Sequence, residues 1–393
     1  MTCTGDWCSA PGRRGHPSET VGKVASDNNG SVMLAAGGTG GHLFPAFALA
    51  EELQRRGIAV DLVTDERGDR YGTGFPARAM YTVPSATLAS RSPVAVVKTV
   101  MKLGSGLRRA LQLMDEVKPA AVVGFGGYPT VPPLLAAGMK GIATAVHEQN
   151  AILGRANKML SGRVRSIATS FEATRGIEGA LAAKARFTGN PVRDAVIACS
   201  ARDYLPAGAG EPFRLVVFGG SQGARYFSDT VPAALAGLPP ATRARLDVLQ
   251  QAREEDVARV EQAYREAGIA ATVAPFFKDL PERMSHAHLV VARAGASSVA
   301  EITVLGRPAI LVPLPHSLDN DQLYNATRLA ESGGGWCIEQ KVLDTERMAG
   351  EIAALIAAPE RLVAAAIAAK KQGRPDAVRR LADLVVELMA SAA

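Results

Sequence analysis

The chain has 393 residues, more than one hydrophobic core ordinarily organises, so two domains are expected. Its 44 basic and 38 acidic side chains leave a formal charge of +6, which suits an anionic partner without identifying one. Zinc-finger spacing, an RNA-binding aromatic motif and a basic stripe interleaved with aromatics are all missing from the sequence, so no nucleic acid is expected as a partner.

Residues 1–30 are rich in Gly, Ser, Pro, Asp and Asn and hold no apolar stretch, which predicts a flexible extension and argues against a secretory signal. A strand over 31–36 then runs into Gly37-Gly38-Thr39-Gly40-Gly41-His42, followed by a helix over 45–56. Strands are expected at 59–64, 79–84, 120–124, 142–146, 166–170 and 186–189, with a helical region within 93–116. The turn Asn190-Pro191-Val192-Arg193 follows, and Pro and Gly cluster without periodicity at 205–212, the linker candidate. These limits give a first domain over 31–204 and a second over 213–371. In the second, strands at 214–218, 245–249, 271–274, 289–292 and 309–313 alternate with helices at 224–236, 256–267, 297–305 and 321–331. Two helical tracts, 359–371 and 376–389, end the chain, and the segment 372–393 either packs back on the first domain or caps the second. The short, wholly apolar strands read as parallel sheets covered on both faces. The fold class is α/β, two Rossmann-like domains facing across a cleft.

The chemistry concentrates where strands hand over to helices. Adjacent glycines let the backbone approach a ligand, and the helix start behind them offers free N–H groups to an anion. Such turns occur at 37–41, at Gly126-Gly127-Tyr128 and at Gly219-Gly220-Ser221-Gln222-Gly223. The first domain thereby gathers Thr39, His42, Tyr128, Glu148 and Asn150 around one mouth, a set suited to a hydroxylated, partly anionic substrate. His42, at a helix start, favours its neutral form and can take a proton from a hydroxyl, or it is a structural tie for the glycine loop. In the second domain Ser221 and its loop suit a diphosphate, Arg293-Ala294-Gly295-Ala296-Ser297 sets a cation beside small residues, and Glu301 can accept from ribose hydroxyls. Asp319-Asn320-Asp321-Gln322 opens a further helix with sugar-compatible groups. A nicotinamide or flavin enzyme is the competing reading, supported by Asp65 and Glu66 but weakened by glycine spacing that misses the dinucleotide pattern. Cys3, Cys8, Cys199 and Cys337 are scattered and His286 and His288 stand two apart, so no metal site is expected and a reducing compartment is the default. No uninterrupted apolar run is long enough to cross a bilayer.

Six ordered motifs together resemble the MurG family of bacterial glycosyltransferases. They are the turn at 37–42, His147-Glu148-Gln149-Asn150, Gly189 through Arg193, Gly219 through Ala224, Arg293 through Ala296 with Glu301, and Asp319 through Ala326. The resemblance covers the chain from about residue 31 to the last helix. It implies the GT-B fold and inverting transfer of N-acetylglucosamine from UDP-N-acetylglucosamine to the C4 hydroxyl of N-acetylmuramic acid in lipid I. The product is the β-1,4-linked lipid II of peptidoglycan synthesis, made with no cofactor or metal. Other GT-B transferases with a different acceptor, a UDP-N-acetylglucosamine epimerase and a non-catalytic sugar-nucleotide binder remain alternatives.

By the same resemblance, donor contacts fall on Thr39, Gly40, Gly41, Asn150, Arg193, Ser221, Gln222, Gly223, Arg293, Ala296, Glu301, Gln322 and Asn325. Acceptor contacts fall on Gly40, Gly41, His42, Gly126, Gly127 and Tyr128. The catalytic set is His42, Glu148, Asn150 and Arg193, with His42 the first candidate base and Glu148 the second. One departure is Asp321, where relatives commonly carry His or Gln; it is expected to alter local hydrogen bonding while Gln322 and Asn325 persist. The stretch 88–114 has no acidic side chain and combines Val97, Met101 and other apolar residues with Lys98, Lys102, Arg108 and Arg109. Its apolar residues either fill the first domain's core or form a patch rimmed by cations that suits anionic lipid headgroups. With the resemblance, the expected location is the cytoplasmic face of the bacterial inner membrane, as a peripheral protein, with lipid I, anionic membrane lipids and a cell-wall synthesis complex as partners.

Overall fold

A computed structural model describes residues 30–37, 40–65, 74–85, 93–220 and 223–391, with the side chains of 93–100 and 103 left out. The expected extension up to residue 29 and the candidate site residues Thr39, Ser221 and Gln222 lie outside the described residues, as do the side chains of Val97 and Lys98.

Seven described strands make the first sheet: β1 (Val32–Ala35), β2 (Val60–Thr64), β3 (Ala79–Thr82), β4 (Ala121–Gly124), β5 (Ala143–Glu148), β6 (Ser166–Thr169) and β7 (Ala185–Phe187). All neighbours are parallel and the spatial order is β3-β2-β1-β4-β5-β6-β7. Its described helices are α1 (Gly40–Arg55), α2 (Pro93–Val117), α3 (Val131–Met139) and α4 (Arg155–Ser161). Every residue of β1, β2, β4 and β5 is buried, as strands sandwiched between helix layers must be.

After β7 the chain crosses over through α5 (Asp194–Cys199) into a second parallel sheet. Its strands are β8 (Phe213–Phe218), β9 (Leu246–Gln251), β10 (Ala270–Ala274), β11 (Leu289–Ala292), β12 (Ala309–Leu311) and β13 (Gly335–Cys337), in the order β10-β9-β8-β11-β12-β13. Helices α6 (Arg225–Ala236), α7 (Val257–Glu266), α8 (Leu280–Ser285), α9 (Ala296–Leu305), α10 (Asp321–Glu331) and α11 (Thr345–Ile356) connect and cover it. The chain ends in α12 (Pro359–Gln372) and α13 (Ala377–Ala390).

In both sheets the winding direction reverses beside the first strand. β1 stands between β2 and β4, and β8 between β9 and β11. Loops leaving the carboxyl ends of β1 and β4, or of β8 and β11, therefore diverge and open a crevice. The glycine turns after β1, β4 and β8 and the Arg293–Ala296 stretch after β11 all sit at these two openings.

Helices α4, α8 and α11 and strand β13 are not among the elements expected from the sequence, and further local features depart from the expectation as well. The helix expected from residue 45 starts at Gly40, so part of the glycine turn is its first turn and Pro45 lies inside it. The apolar stretch around Pro132 and Pro133 forms α3, because the first-turn N–H groups that proline lacks have no intrahelical partner anyway. The crossover comes earlier than the linker expected at 205–212. Val192 and Val196 pack in the second domain's core with Met284, Val299 and Ile302, so α5 belongs with that domain and not with 31–204. Finally, α13 returns to the first domain: Leu381, Ala382, Leu384, Val385 and Leu388 share a core with Leu49 and Leu53 of α1.

Candidate functional site

At the first opening, His42 is the third residue of α1 and its imidazole lies against three glycines. A Cβ at Gly126 would stand 3.2 Å from His42 Cε1, at Gly127 3.4 Å from Cδ2, and at Gly37 3.5 Å from Cδ2. Gly126 and Gly127 also have φ of 86° and 76°, which side-chain-bearing residues rarely adopt. The acceptor-side candidates Gly126, Gly127 and His42 thus form one surface, with Tyr128 opening the next turn of helix and Gly40 and Gly41 in the first turn of α1.

The stretch 147–150 behaves differently from its expected role at the rim. His147 is fully buried; its Nε2 faces the Gly189 carbonyl at 3.1 Å and its Nδ1 faces Gln149 Nε2 at 3.1 Å. Burial depresses its pKa to about 4, so it is a neutral ring donating from Nε2. Gln149 also donates to the Phe125 carbonyl, tying the ends of β4 and β5. Glu148 is 1% exposed, and both its oxygens are taken. Oε1 accepts from the Asn150 N–H at 3.0 Å and from its side-chain amide at 3.3 Å; Oε2 accepts from Gly154 N–H at 2.9 Å and Asn157 Nδ2 at 2.8 Å. Burial raises the Glu148 pKa against these bonds. Its carboxylate shapes a turn and is not presented to a substrate, which removes the geometric basis for Glu148 as a base.

Asn150 reaches the second domain. Its Oδ1 accepts from Asn325 Nδ2 at 3.0 Å; that amide also donates to the Ala294 carbonyl at 3.0 Å, and Asn325 Oδ1 accepts from Ala151 N–H at 2.8 Å. Asn325 is fully buried with both amide hydrogens engaged, so it stitches the domains together and has none to offer the donor it was expected to contact.

At the second opening, Gly219 is required by space: a Cβ there would fall 2.3 Å from the Ala224 nitrogen. Gly220 and Gly223 have φ of 81° and 65°. Gln251, which the motifs did not mark, holds this loop. It accepts from Gly219 N–H at 3.2 Å and donates to the Pro275 carbonyl at 3.1 Å. Across the opening, Ala296 begins α9 behind Gly295, so its first-turn N–H groups point toward the crevice end of the helix. Beside it, Ser297 Oγ is buried without a hydrogen-bond partner among the described residues.

Arg293 is largely engaged inside the second domain. It is 6% exposed and donates to the Val312 and Pro313 carbonyls at 3.1 Å each and to Gln340 Oε1 at 2.6 Å. Its guanidinium also lies over the Tyr226 and Phe227 rings, at 5.4 and 5.2 Å from their centroids. Arg293, expected among the donor contacts, is a buried strut. Arg193 and Glu301 form a fork of two bonds, Nε to Oε1 at 2.9 Å and Nη2 to Oε2 at 3.0 Å. Burial pushes the Glu301 carboxyl up and Arg193 opposes that. Gln322 Oε1 accepts from Ala294 N–H at 3.2 Å and Leu314 N–H at 3.0 Å, which fixes the amide and leaves its NH₂ as the group to offer a ligand. Burial likewise raises the Asp321 pKa, opposed by Ser317, by the Gln322 N–H and by His42 across the opening.

On α2, Met101 is 70% exposed and Lys102 and Arg108 are exposed, whereas Arg109 donates to Glu116 at 3.0 Å. Ala110, Leu113 and Met114 pack in a core of the first domain with Val122 and Leu134, so among its described side chains the helix has a buried stripe and an exposed one. Among the described residues no single helix is long and apolar enough to cross a membrane, and no group of three or more His, Cys, Asp or Glu stands ready to hold a metal ion.

Two parallel doubly wound domains with glycine turns meeting at both winding reversals define a GT-B-like glycosyltransferase architecture. Residues 32–169 match the glycosyltransferase family 28 N-terminal domain and residues 214–381 the family 28 C-terminal domain. A Brucella abortus UDP-N-acetylglucosamine--N-acetylmuramyl-(pentapeptide) pyrophosphoryl-undecaprenol N-acetylglucosamine transferase is 54% identical over 357 residues, covering 91% of this chain and 94% of its own. The crystal structure of Acinetobacter baumannii MurG superposes with a TM-score of 0.75 at 28% identity, over 91% of this chain and 99% of that one. The chain belongs to the MurG family. A UDP-GlcNAc 2-epimerase from Neisseria meningitidis, bound to UDP-GlcNAc, reaches a TM-score of 0.63 at 14% identity over 92% of this chain and 100% of that one, a likeness of fold alone.

Proposed function

We propose that this chain transfers N-acetylglucosamine from UDP-N-acetylglucosamine to the C4 hydroxyl of N-acetylmuramic acid in lipid I, giving lipid II. The observation that carries the reading is the 54% identity to transferases of that name across nearly the whole chain. The scheme uses no metal ion or cofactor; UDP-N-acetylglucosamine is the donor substrate. In a single displacement the C4 oxygen bonds to the anomeric carbon as the bond to the UDP oxygen breaks, inverting α to β. The hydroxyl proton passes to a base and the electron pair leaves with UDP.

His42 is the proposed base. It is held by glycine walls at the first opening. The helix start at Ala296 supplies N–H groups to the departing diphosphate. Glu301 receives the ribose, exchanging one bond of its Arg193 fork for hydroxyl donors and freeing part of the guanidinium for phosphate charge. Gln322 meets the sugar through its NH₂. The exposed Met101, Lys102 and Arg108 support a peripheral seat on an anionic membrane surface, where the lipid-linked acceptor lies.

Purified protein incubated with radiolabelled UDP-N-acetylglucosamine tests the assignment. Label is expected in the organic-extractable lipid only when lipid I is supplied, with equimolar UDP release. Isomerised donor, or labelled product from a soluble acceptor alone, would refute it.

A further inference from the structure

Arg155 opens α4 in the first domain, and Asp319 lies in the turn before α10 in the second. Arg155 Nε and Nη2 donate to Asp319 Oδ2 and Oδ1 at 2.9 and 2.8 Å, a side-by-side fork that fixes both groups in one plane. Among the described residues, every hydrogen bond of this guanidinium goes to that carboxylate. Asp319 and the following Asn320 have φ of 56° and 57°. Consecutive left-handed residues other than glycine are unfavourable and persist where their surroundings hold them.

Both ends of the bridge are anchored in site structure. Gly154, immediately before Arg155, is held by Glu148 Oε2 at 2.9 Å. Three residues after Asp319 comes Gln322, whose oxygen is pinned by Ala294 and Leu314 N–H groups. The fork therefore joins the Glu148 turn of one domain to the start of α10 in the other, beside the seam of Asn150 and Asn325.

We propose that Arg155 and Asp319 form a latch that holds the two domains at the separation the sugar nucleotide requires, making Arg155 a positioning residue for the Gln322 amide. This rests on the donor reading of α10 given above. A lone exposed ion pair contributes little to a fold. Here the pair acts between two domains, so its loss changes their spacing and not merely one surface contact. Arg155 and Asp319 side chains are 55% and 31% exposed, which leaves the latch open to screening by salt.

The test compares Arg155→Ala, Asp319→Asn and the exchanged pair Arg155→Asp with Asp319→Arg, all as full-length protein. Each single variant is expected to raise the KM for UDP-N-acetylglucosamine about tenfold, with kcat and the lipid I KM changed less than about twofold. The ligand-free single variants should show a larger radius of gyration by small-angle X-ray scattering. The exchange should return both quantities toward wild type, and salt of about 0.5 M should move the wild type toward the single variants. Wild-type donor KM and radius in both single variants would overturn the latch. So would a natively folded exchange variant as impaired as the singles, because Asp319 would then act on the sugar without Arg155. Gln322→Ala separates the two layers: normal donor binding there removes the donor reading of α10, whereas a large Gln322 effect beside silent latch variants removes the latch alone.

Discussion

A methyl group at position 126 would meet two obstacles at once: the backbone stands at φ 86°, and the new carbon would press on His42 Cε1 at 3.2 Å. Gly126→Ala is therefore expected to lower stability by about 1–2 kcal/mol through the left-handed backbone. It should also lower kcat, because the imidazole must move. Thermal melting and steady-state turnover measure the two effects separately; a variant with reduced melting temperature but wild-type kcat would detach His42 from the chemistry. Arg293 carries the opposite lesson. A cation next to Ala294-Gly295 is expected to contact the donor, yet it is roofed by two aromatic rings and bonded to two carbonyls and Gln340. Residue type and spacing do not reveal which way a long side chain points. Glu148 and Asn325 mislead for the same reason, since a polar group near a strand end is equally able to close a turn or to face a ligand.

At the scale of elements, the glycine turns were legible because a backbone that must pass close to a ligand or another turn admits nothing larger. The strands other than β13 were legible as short apolar runs between Gly and Pro; the three residues Gly335–Cys337 are too few to show a pattern. Helix α3 was not, because Pro132 and Pro133 mask a helix whose prolines occupy only its first turn. Helix α5 was legible neither as an element nor in its allegiance, since nothing in six residues tells which core Val196 will enter. Gln251 also left no signal, being a single amide at the end of β9, although the Gly219 turn depends on it. Gln251→Ala should cost about 1–3 kcal/mol by leaving the Gly219 N–H and the Pro275 carbonyl without their partner. The donor KM should rise several-fold while the lipid I KM stays constant; equal shifts in both would mean that Gln251 supports the fold without shaping the donor loop.

For the whole molecule, acid sensitivity follows from two buried imidazoles. Burial holds both His147 and His288 at about 4, well below the ordinary 6.5. Between these values the unfolded chain binds protons that the folded chain refuses, so their contribution to stability is constant above 6.5 and declines as pH falls toward 4. Glu148 and Glu301, raised by burial, act in the opposite sense, so a single-site comparison is the informative one. The stability gap between wild type and His147→Gln, measured by urea denaturation, should narrow by up to about 3 kcal/mol between pH 7 and pH 4. A gap independent of pH would mean that His147 takes up its proton as readily in the fold as in the unfolded chain.

The return of α13 to α1 has a consequence for biosynthesis. Leu381, Val385 and Leu388 complete a core whose other walls, Leu34, Leu49 and Leu53, are made more than three hundred residues sooner. A domain translated early is sealed by a segment translated more than three hundred residues later. Until that segment emerges from the ribosome, the apolar flank it covers is open to chaperones, and a nonsense codon upstream of α13 injures the first domain.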